Sequence, residues 1–323
     1  MALMLNQSFT HRTPMRRTSS FPSTTLLLLL VLTGIVPVFA QSDKTGWRAS
    51  LAAWRAQREK EISAPDGWLS LAGLEWLKPG INSIGGAAGN SIQIHAQSPD
   101  HIGIITVAGS TVQLLAPSSG FPDGLTTDGR PVREGVLKTR NEDATVIAWK
   151  GLELVVLQRG DRFILRIKDA NAPVRTNFRG LNWYAPNPDY RVQARWIPYN
   201  PPQVEKISTV IGTTLEMPAP GVAEFILRGK VYLLEPVFEG PDQAHLFFTL
   251  RDETSQTTTY GGGRFLTTGL PDNGVSKPGH IIIDFNRLYN PPCAYTPYAT
   301  CPLPPEKNRL SVAIEAGEQR FPQ

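Results

Sequence analysis

His280-Ile-Ile-Ile-Asp-Phe-Asn-Arg-Leu-Tyr-Asn-Pro-Pro-Cys293-Ala-Tyr-Thr-Pro-Tyr-Ala-Thr-Cys301-Pro-Leu-Pro-Pro305 sets a β-branched run against a proline-studded loop holding the chain's only two cysteines. Strand side chains alternate, so Ile281, Ile283 and Phe285 share one face, and His280, Asp284 and Asn286 the other. The apolar row suits a core, and the polar row suits a cleft or solvent. A strand ending in a stiff loop is therefore the first element to place.

Outward from this stretch the chain is mainly β. Residues 144–150, 152–159 and 162–168 form a meander, with hairpin turns at Lys150-Gly151 and Arg159-Gly160-Asp161. In the third strand Phe163, Leu165 and Ile167 face inward and Arg162, Arg166 and Lys168 outward, as in a half-solvated antiparallel sheet. Short strands bounded by Gly, Pro or Asp precede it at 91–95, 101–107 and 111–115. Strand patterns follow at 191–199, 204–211, 222–228, 231–237, 244–251, 257–260, 264–267, 280–286 and 310–314. One helix is expected over 47–62, with Trp47, Leu51, Trp54 and Ile62 near one face. Arg48, Arg55, Arg58, Glu59 and Lys60 largely take the rest. The apolar patch 68–77 reads as core, since its Ser70 lacks the G-x-S-x-G spacing of a nucleophile elbow. The expected layout is a helix and apolar connector over 41–80, then a small β-sandwich-like module over 81–135. A larger antiparallel sheet or barrel over 136–323 follows, with the cysteine loop at 287–305.

The first forty residues read as a signal peptide. Arg12, Arg16 and Arg17 precede the apolar run Leu26 to Leu32, and Val38-Phe39-Ala40 supplies the small residues that signal peptidase needs. Gly34 and Pro37 interrupt the run, so it is too short to span a bilayer. Cleavage is expected after Ala40, giving a periplasmic or secreted protein with no stable membrane span. Removing forty residues from 323 leaves 283, and Lys+Arg falls from 32 to 29 against 28 Asp+Glu. With a net charge near +1 and no basic cluster, nucleic acid is not an expected partner.

Several motifs carry family resemblances. Residues 81–132, through Ile84-Gly-Gly, Asn90-Ser-Ile-Gln-Ile, His101-Ile-Gly-Ile and Asp128-Gly-Arg-Pro-Val132, resemble a forkhead-associated β-sandwich. Gly85-Gly86-Ala87-Ala88 stands where that family's phosphothreonine-reading arginine would be, so only the scaffold is implied. Arg251-Asp-Glu-Thr, Thr259-Tyr-Gly-Gly-Gly-Arg-Phe-Leu266 and Ile283-Asp-Phe-Asn-Arg-Leu-Tyr-Asn-Pro-Pro-Cys293 resemble the domain of unknown function 1684 family of bacteria and archaea. Thr300-Cys-Pro-Leu-Pro-Pro305, Asn308-Arg-Leu310 and Ala313-Ile-Glu-Ala-Gly-Glu318 fit the same pattern. Gly67-Trp-Leu-Ser-Leu-Ala-Gly-Leu74 is similar to its N-terminal signature. That family has no established activity, so the resemblance implies a relative without implying a reaction.

The candidate site gathers near the cysteine loop. Cys293 and Cys301 in an exported chain most simply form a disulfide, which for so short a loop is worth about 2–3 kcal/mol by chain entropy. Alternatives are a metal site from Cys293, Cys301 and His280, with Asp284 and His245 as further candidates, or a nucleophilic Cys293 beside His280. His280 and Asp284 lie roughly 13 Å apart along their strand, too far for a dyad by themselves. Asp284 and Asn286 either cap the loop backbone or touch a ligand. Tyr260-Gly-Gly-Gly-Arg264 is either a turn needing glycine or an anion nest with Arg264 as the fork. The ligand-binding set is Arg264, Asp284, Asn286, Tyr289 and Asn290, converging on one hollow. Asp284, His280 and Glu315 are the acid–base candidates. The leading expectation is an exported protein binding a small polar or anionic ligand beside the 280–305 loop, with no cofactor. A hydrolase-like enzyme using the same site, with or without a metal, is the first alternative. A structural envelope protein is the second.

Overall fold

The computed structural model describes residues 38–140, 143–240 and 242–322, with side chains from Thr45 onward. The signal-peptide reading of 1–40 falls, but for its last three residues, outside the described residues. Among those described, no helix is long and apolar enough to cross a membrane.

The first described element is helix α1 (Val38–Ile62), longer than the 47–62 segment expected. The first module follows. Its strands are β1 (Leu71–Trp76), β2 (Gly80–Gly85), β3 (Ile92–Gln93), β4 (Gly103–Ala108), β5 (Thr111–Leu115) and β6 (Thr126–Thr127). They continue with β7 (Arg130–Pro131), β8 (Gly135–Val136), β9 (Val146–Trp149), β10 (Leu152–Arg159) and β11 (Arg162–Asp169). One sheet is ordered β1-β11-β10-β9-β6-β7 and the other β3-β2-β4-β5-β8. Ile84, Ile105 and Leu114 from the second sheet share a core with Ile147, Leu154 and Leu165 from the first. This core runs to Ile167, so the meander β9–β11 packs with the strands before it. Both predicted hairpins form: Trp149 pairs Leu152 and Arg159 pairs Arg162. Positive φ at both Lys150 and Gly151 gives the primed turn that matches strand twist.

After the short helix α2 (Pro173–Thr176) comes the second module: β12 (Arg191–Ser208), β13 (Thr214–Leu227), β14 (Lys230–Leu234), β15 (Leu246–Leu250), β16 (Arg264–Thr268) and β17 (Gly279–Asp284). Strands β14-β13-β12-β17 form an antiparallel sheet and β15-β16 a separate pair, and none of these sheets closes into a barrel. The two strands expected at 191–199 and 204–211 are one, β12, with an irregularity between Pro198 and Gln203. Residues 310–314 alternate as a strand would, with Leu310, Val312 and Ile314 buried, yet form no ladder. Scattered backbone and side-chain groups partner it instead: the Leu310 amide donates to the Arg251 carbonyl (2.7 Å), the Ile314 amide donates to Asp252 Oδ1 (3.2 Å), and the Ile314 carbonyl accepts from Arg264 Nη2 (2.9 Å). Residues 257–260 are likewise not a strand. They follow a 3-10 turn over Glu253–Gln256, whose Thr254 amide donates to the Asp252 carboxylate.

The quoted stretch lies where its alternation predicts on the apolar side: Ile281, Ile283 and Phe285 enter the second core with Trp196, Phe225 and Phe248. Ile282, between them, is 42% exposed. The loop beyond β17 meets the first module. Leu71 of β1 packs with Ile207, Phe247, Phe265 and Cys301, and the Thr296 hydroxyl donates to the Leu71 carbonyl (3.3 Å).

Candidate functional site

The outer face of the β10–β11 hairpin builds one wall of the site. With Leu152, Leu154 and Val156 turned into the first core, alternation sends Val155, Leu157 and Arg159 the other way, opposite Arg166, Ile164 and Arg162. Leu157 and Ile164 are nevertheless buried, because the second module covers this face. Arg166, expected to point into solvent, therefore faces the seam.

A cavity of about 750 Å³ lies there. On one side are Leu157, Arg159 and Arg166. On the other are Phe247 of β15, Phe265 of β16, Tyr289, Asn290 and the loop from Ala299 to Pro302. Phe247 meets Phe265 edge-on at 4.9 Å, and Phe265 meets Tyr289 at 5.9 Å, so that wall is aromatic. A second hollow of about 860 Å³ beneath α1 contains Trp47, Trp54, Asp284 and Arg287. Arg58, Trp68 and Tyr289 border both spaces, an aromatic and cationic boundary between them.

Three arginines and one glutamate line the first cavity. Burial lowers the Arg166 pKa and the neighbouring Arg159 charge lowers it further; burial also lowers that of Arg159. Arg166 Nε is buried without a hydrogen-bond partner. Glu239 is the carboxylate lining this space, and burial pushes its pKa up. Arg58 is compensated: its Nε donates to Glu318 (3.1 Å), its Nη2 to the Asn290 carbonyl (2.7 Å), and its guanidinium lies 4.3 Å over the Tyr289 ring. A cavity of this volume, with an apolar wall and a few convergent polar groups, has the character of a small-molecule site.

The residues singled out from sequence do not converge on one hollow. Tyr289 lines both spaces, Asp284 the one beneath α1 and Asn290 the other. Arg264 is wholly buried elsewhere, paired with Asp252 (2.8 Å) and bonded to the carbonyls of Ile314 and Ala316, so it is no anion fork for a ligand. Asn286 is also wholly buried, exchanging hydrogen bonds with the Asn187 backbone. Asp284 caps the turn after β17 by accepting from the Asn286 amide (3.1 Å), and it also accepts from Trp47 Nε1 (2.6 Å). His280 sits by Asp272 (3.5 Å) on the exposed end of β17, and Glu315 pairs with Arg228 (3.3 Å) at the surface. The acid–base candidates Asp284, His280 and Glu315 are thus three separate environments. Among the described residues no three His, Cys, Asp or Glu side chains form a metal-ligand group, so Cys293, Cys301 and His280 are not assembled. Both cysteines are free thiols rather than the expected disulfide, with the Cys293 amide donating to Cys301 Sγ at 3.2 Å.

Arg159, Arg166 and Arg58 were missed. The signal for the first two was Leu157 and Ile164, apolar residues on a strand face otherwise read as wet. For Arg58 it was helical spacing: positions 51, 54, 55, 58, 59 and 62 form one stripe, and all are buried or half-buried.

Fold and site together define a two-module β protein with an arginine-bearing cleft at the seam. The chain belongs to a family described as protein of unknown function (DUF1684), whose profile matches residues 176–319. The match covers the second module and cysteine loop, and leaves the Gly67–Leu74 signature outside it. The chain is also similar to an uncharacterized protein from Haloarcula marismortui, known from a solution NMR structure. The two are 34% identical over 45% of this chain and 78% of that one, with a TM-score of 0.39. No curated protein matches.

Proposed function

We propose that this chain is an exported protein that binds a small amphipathic organic anion in the cavity between its modules. The observation that carries the reading is the Arg159–Arg166 pair. The two guanidiniums line one half-buried cavity with Phe247 and Phe265, the Arg159 charge lowers the Arg166 pKa, and Arg166 Nε is unpartnered. An anionic head relieves the like-charge repulsion and fills the missing hydrogen bond, while an apolar tail lies on Phe247 and Phe265. Export rests on the charge, hydrophobicity and cleavage pattern of residues 1–40.

Octanesulfonate is a suitable probe because it stays anionic across the working pH range. Titration calorimetry should show one binding event per chain, weakened about 10- to 100-fold by Arg166→Ala, as expected for losing a charged hydrogen bond of about 1.5–3 kcal/mol. The substitution should leave the unfolding midpoint in place, since it removes a desolvated and repelled charge. Equal binding of octanol and octanesulfonate, indifferent to Arg166→Ala and Arg159→Ala, would sink the reading.

Glu239 makes the site pH-dependent. It faces Arg58, Arg159 and Arg166, which stay charged, and Tyr289 and Cys301, whose raised pKa values keep them neutral. Because burial raises the Glu239 pKa, the carboxylate takes up its proton above the ordinary value of about 4.3 as pH falls. Losing that negative charge should tighten sulfonate binding by roughly 1–2 kcal/mol, the effect of a unit charge about 8–16 Å away at an effective dielectric near 20. Glu239→Gln should bind more tightly at pH 7 and show a flat profile. A steep profile surviving in Glu239→Gln would assign the dependence elsewhere.

A further inference from the structure

The cysteine loop, whose Cys301 borders the cavity between the modules, carries a second chemistry of its own. Cys301 is buried in the seam core, and its chain is fixed on both sides. Its carbonyl accepts from the Val210 amide (3.0 Å), and the Leu303 amide donates to Ser208 (2.8 Å). Cys293 sits half-buried in the short 3-10 turn Pro292–Ala294 and directs its amide at the Cys301 sulfur (3.2 Å). Cys293 is the more exposed of two cysteines held side by side.

The glycine turn gives this pair a third member. Tyr260 lines a small hollow with Ala294, the neighbour of Cys293, and its hydroxyl lowers the Cys293 pKa. The turn that follows must pass close to that ring: a Cβ on Gly262 would come 2.5 Å from Tyr260 Cε1. Gly263 has φ +97° and would clash with the Leu250 carbonyl and with Pro304 of the cysteine loop, both at 2.6 Å. Tyr260-Gly-Gly-Gly-Arg264 is thus a turn in which Gly263 packs closely against Leu250 and the cysteine loop at Pro304, as a glycine-requiring turn does.

We infer that Cys293 and Cys301 form a thiol–disulfide exchange site, with Cys293 as the attacking sulfur, Cys301 as the resolving sulfur and Tyr260 as a positioning residue. The partner class is a small-molecule disulfide such as glutathione disulfide. The Cys293 thiolate attacks one sulfur of that disulfide, forming a mixed disulfide and expelling one glutathione thiolate, which takes up the proton Cys293 lost. Cys301 then loses its proton and attacks the Cys293 sulfur, closing the intrachain bond and expelling the second glutathione as a thiol. Two cysteine thiols are oxidised and one disulfide is reduced. The electrostatics agree with these roles. The Cys301 thiol and the Tyr260 hydroxyl hold the Cys293 pKa below its usual value, whereas the hydrogen bond to Cys293 and burial raise that of Cys301.

The test uses the full reduced chain, equilibrated with glutathione disulfide, acid-quenched, alkylated and measured by intact mass. The expected product has lost two hydrogen atoms and resists alkylation. Cys301→Ser should accumulate a glutathione adduct at Cys293, whereas Cys293→Ser should react at Cys301 at least tenfold more slowly. Tyr260→Phe should raise the pH at which adduct formation is half-maximal, a change that mere packing would not produce. Two thiols still alkylatable after equilibration would overturn the inference, as would adducts forming equally fast at either single cysteine. Circular dichroism on each variant separates a lost site from a lost fold.

Discussion

Arg264→Ala should leave the second module unable to hold its native state at room temperature. Arg264 is fully buried and ties three separate segments together. It pairs with Asp252 Oδ2 at 2.8 Å and donates to the carbonyls of Ile314 at 2.9 Å and Ala316 at 2.5 Å. Asp252 in turn accepts from the Thr254 amide and hydroxyl and from the Ile314 amide. Truncating the arginine leaves a buried carboxylate without its counter-charge and two buried carbonyls without donors. Removing one partner of a buried pair costs about 3–5 kcal/mol, and each abandoned polar group about 1–3 more. Against a typical total of about 5–15 kcal/mol, that is most or all of the stability. Arg264→Lys should recover only part of the loss, since an ammonium cannot reproduce the planar fork that reaches carboxylate and carbonyls together. Urea unfolding followed by tryptophan fluorescence reads the effect directly. A midpoint within experimental error of the native chain would mean that the buried pair contributes nothing.

That arginine also shows why the sequence could be read for fold better than for site. Alternation at Ile281, Ile283 and Phe285 and the turn chemistry at Lys150-Gly151 are local properties, and the structure keeps them. What decides whether Arg264 or Arg166 meets a ligand is which module covers which face, and periodicity carries no information on that. Arg264 sits next to a glycine turn, as an anion-binding arginine would, but the C-terminal segment 310–318 closes over it. Arg166 sits on a strand face that looked wet, but the second module closes over that face only in part, leaving a cavity. The legible hint was apolar residues in the wrong row, Leu157 and Ile164. In α1 the same logic ran in reverse: Arg58 and Glu59 occupy positions of the buried stripe, and charge alone suggested that they face water. Burial of these charges is tolerable because each finds partners far along the chain: Glu318 for Arg58, and the Leu181 amide with Trp183 Nε1 for Glu59.

Glu318→Ala should release α1 from the second module as well as destabilise it. The Glu318 side chain is wholly buried and accepts four hydrogen bonds: from Arg58 Nε (3.1 Å), the Asn290 amide (3.0 Å), Asn290 Nδ2 (2.8 Å) and the Tyr295 hydroxyl (2.5 Å). Burial alone would lower the Arg58 pKa, but Tyr295 and Glu318 together hold it above its usual value, so the guanidinium is charged in the seam. Without Glu318 that charge loses its counter-ion, and the Asn290 backbone amide and Tyr295 hydroxyl lose their acceptor. The expected cost is again about 3–5 kcal/mol for the pair, which for a module of this size lowers the melting midpoint by roughly 10–20 °C. Glu318→Gln should fall between, because one carbonyl oxygen still accepts while the new amide directs hydrogens at groups that are already donors. Two readouts separate the consequences. Calorimetry gives the stability, and limited proteolysis reports whether residues 45–62 become cleavable before the β core unfolds. Arg58 borders both spaces, so the freed helix should also weaken octanesulfonate binding under conditions where the core remains folded. A helix that stays protected while the core melts early would instead place its anchor in Leu51 and Ile62, with the Arg58–Glu318 pair serving the loop alone.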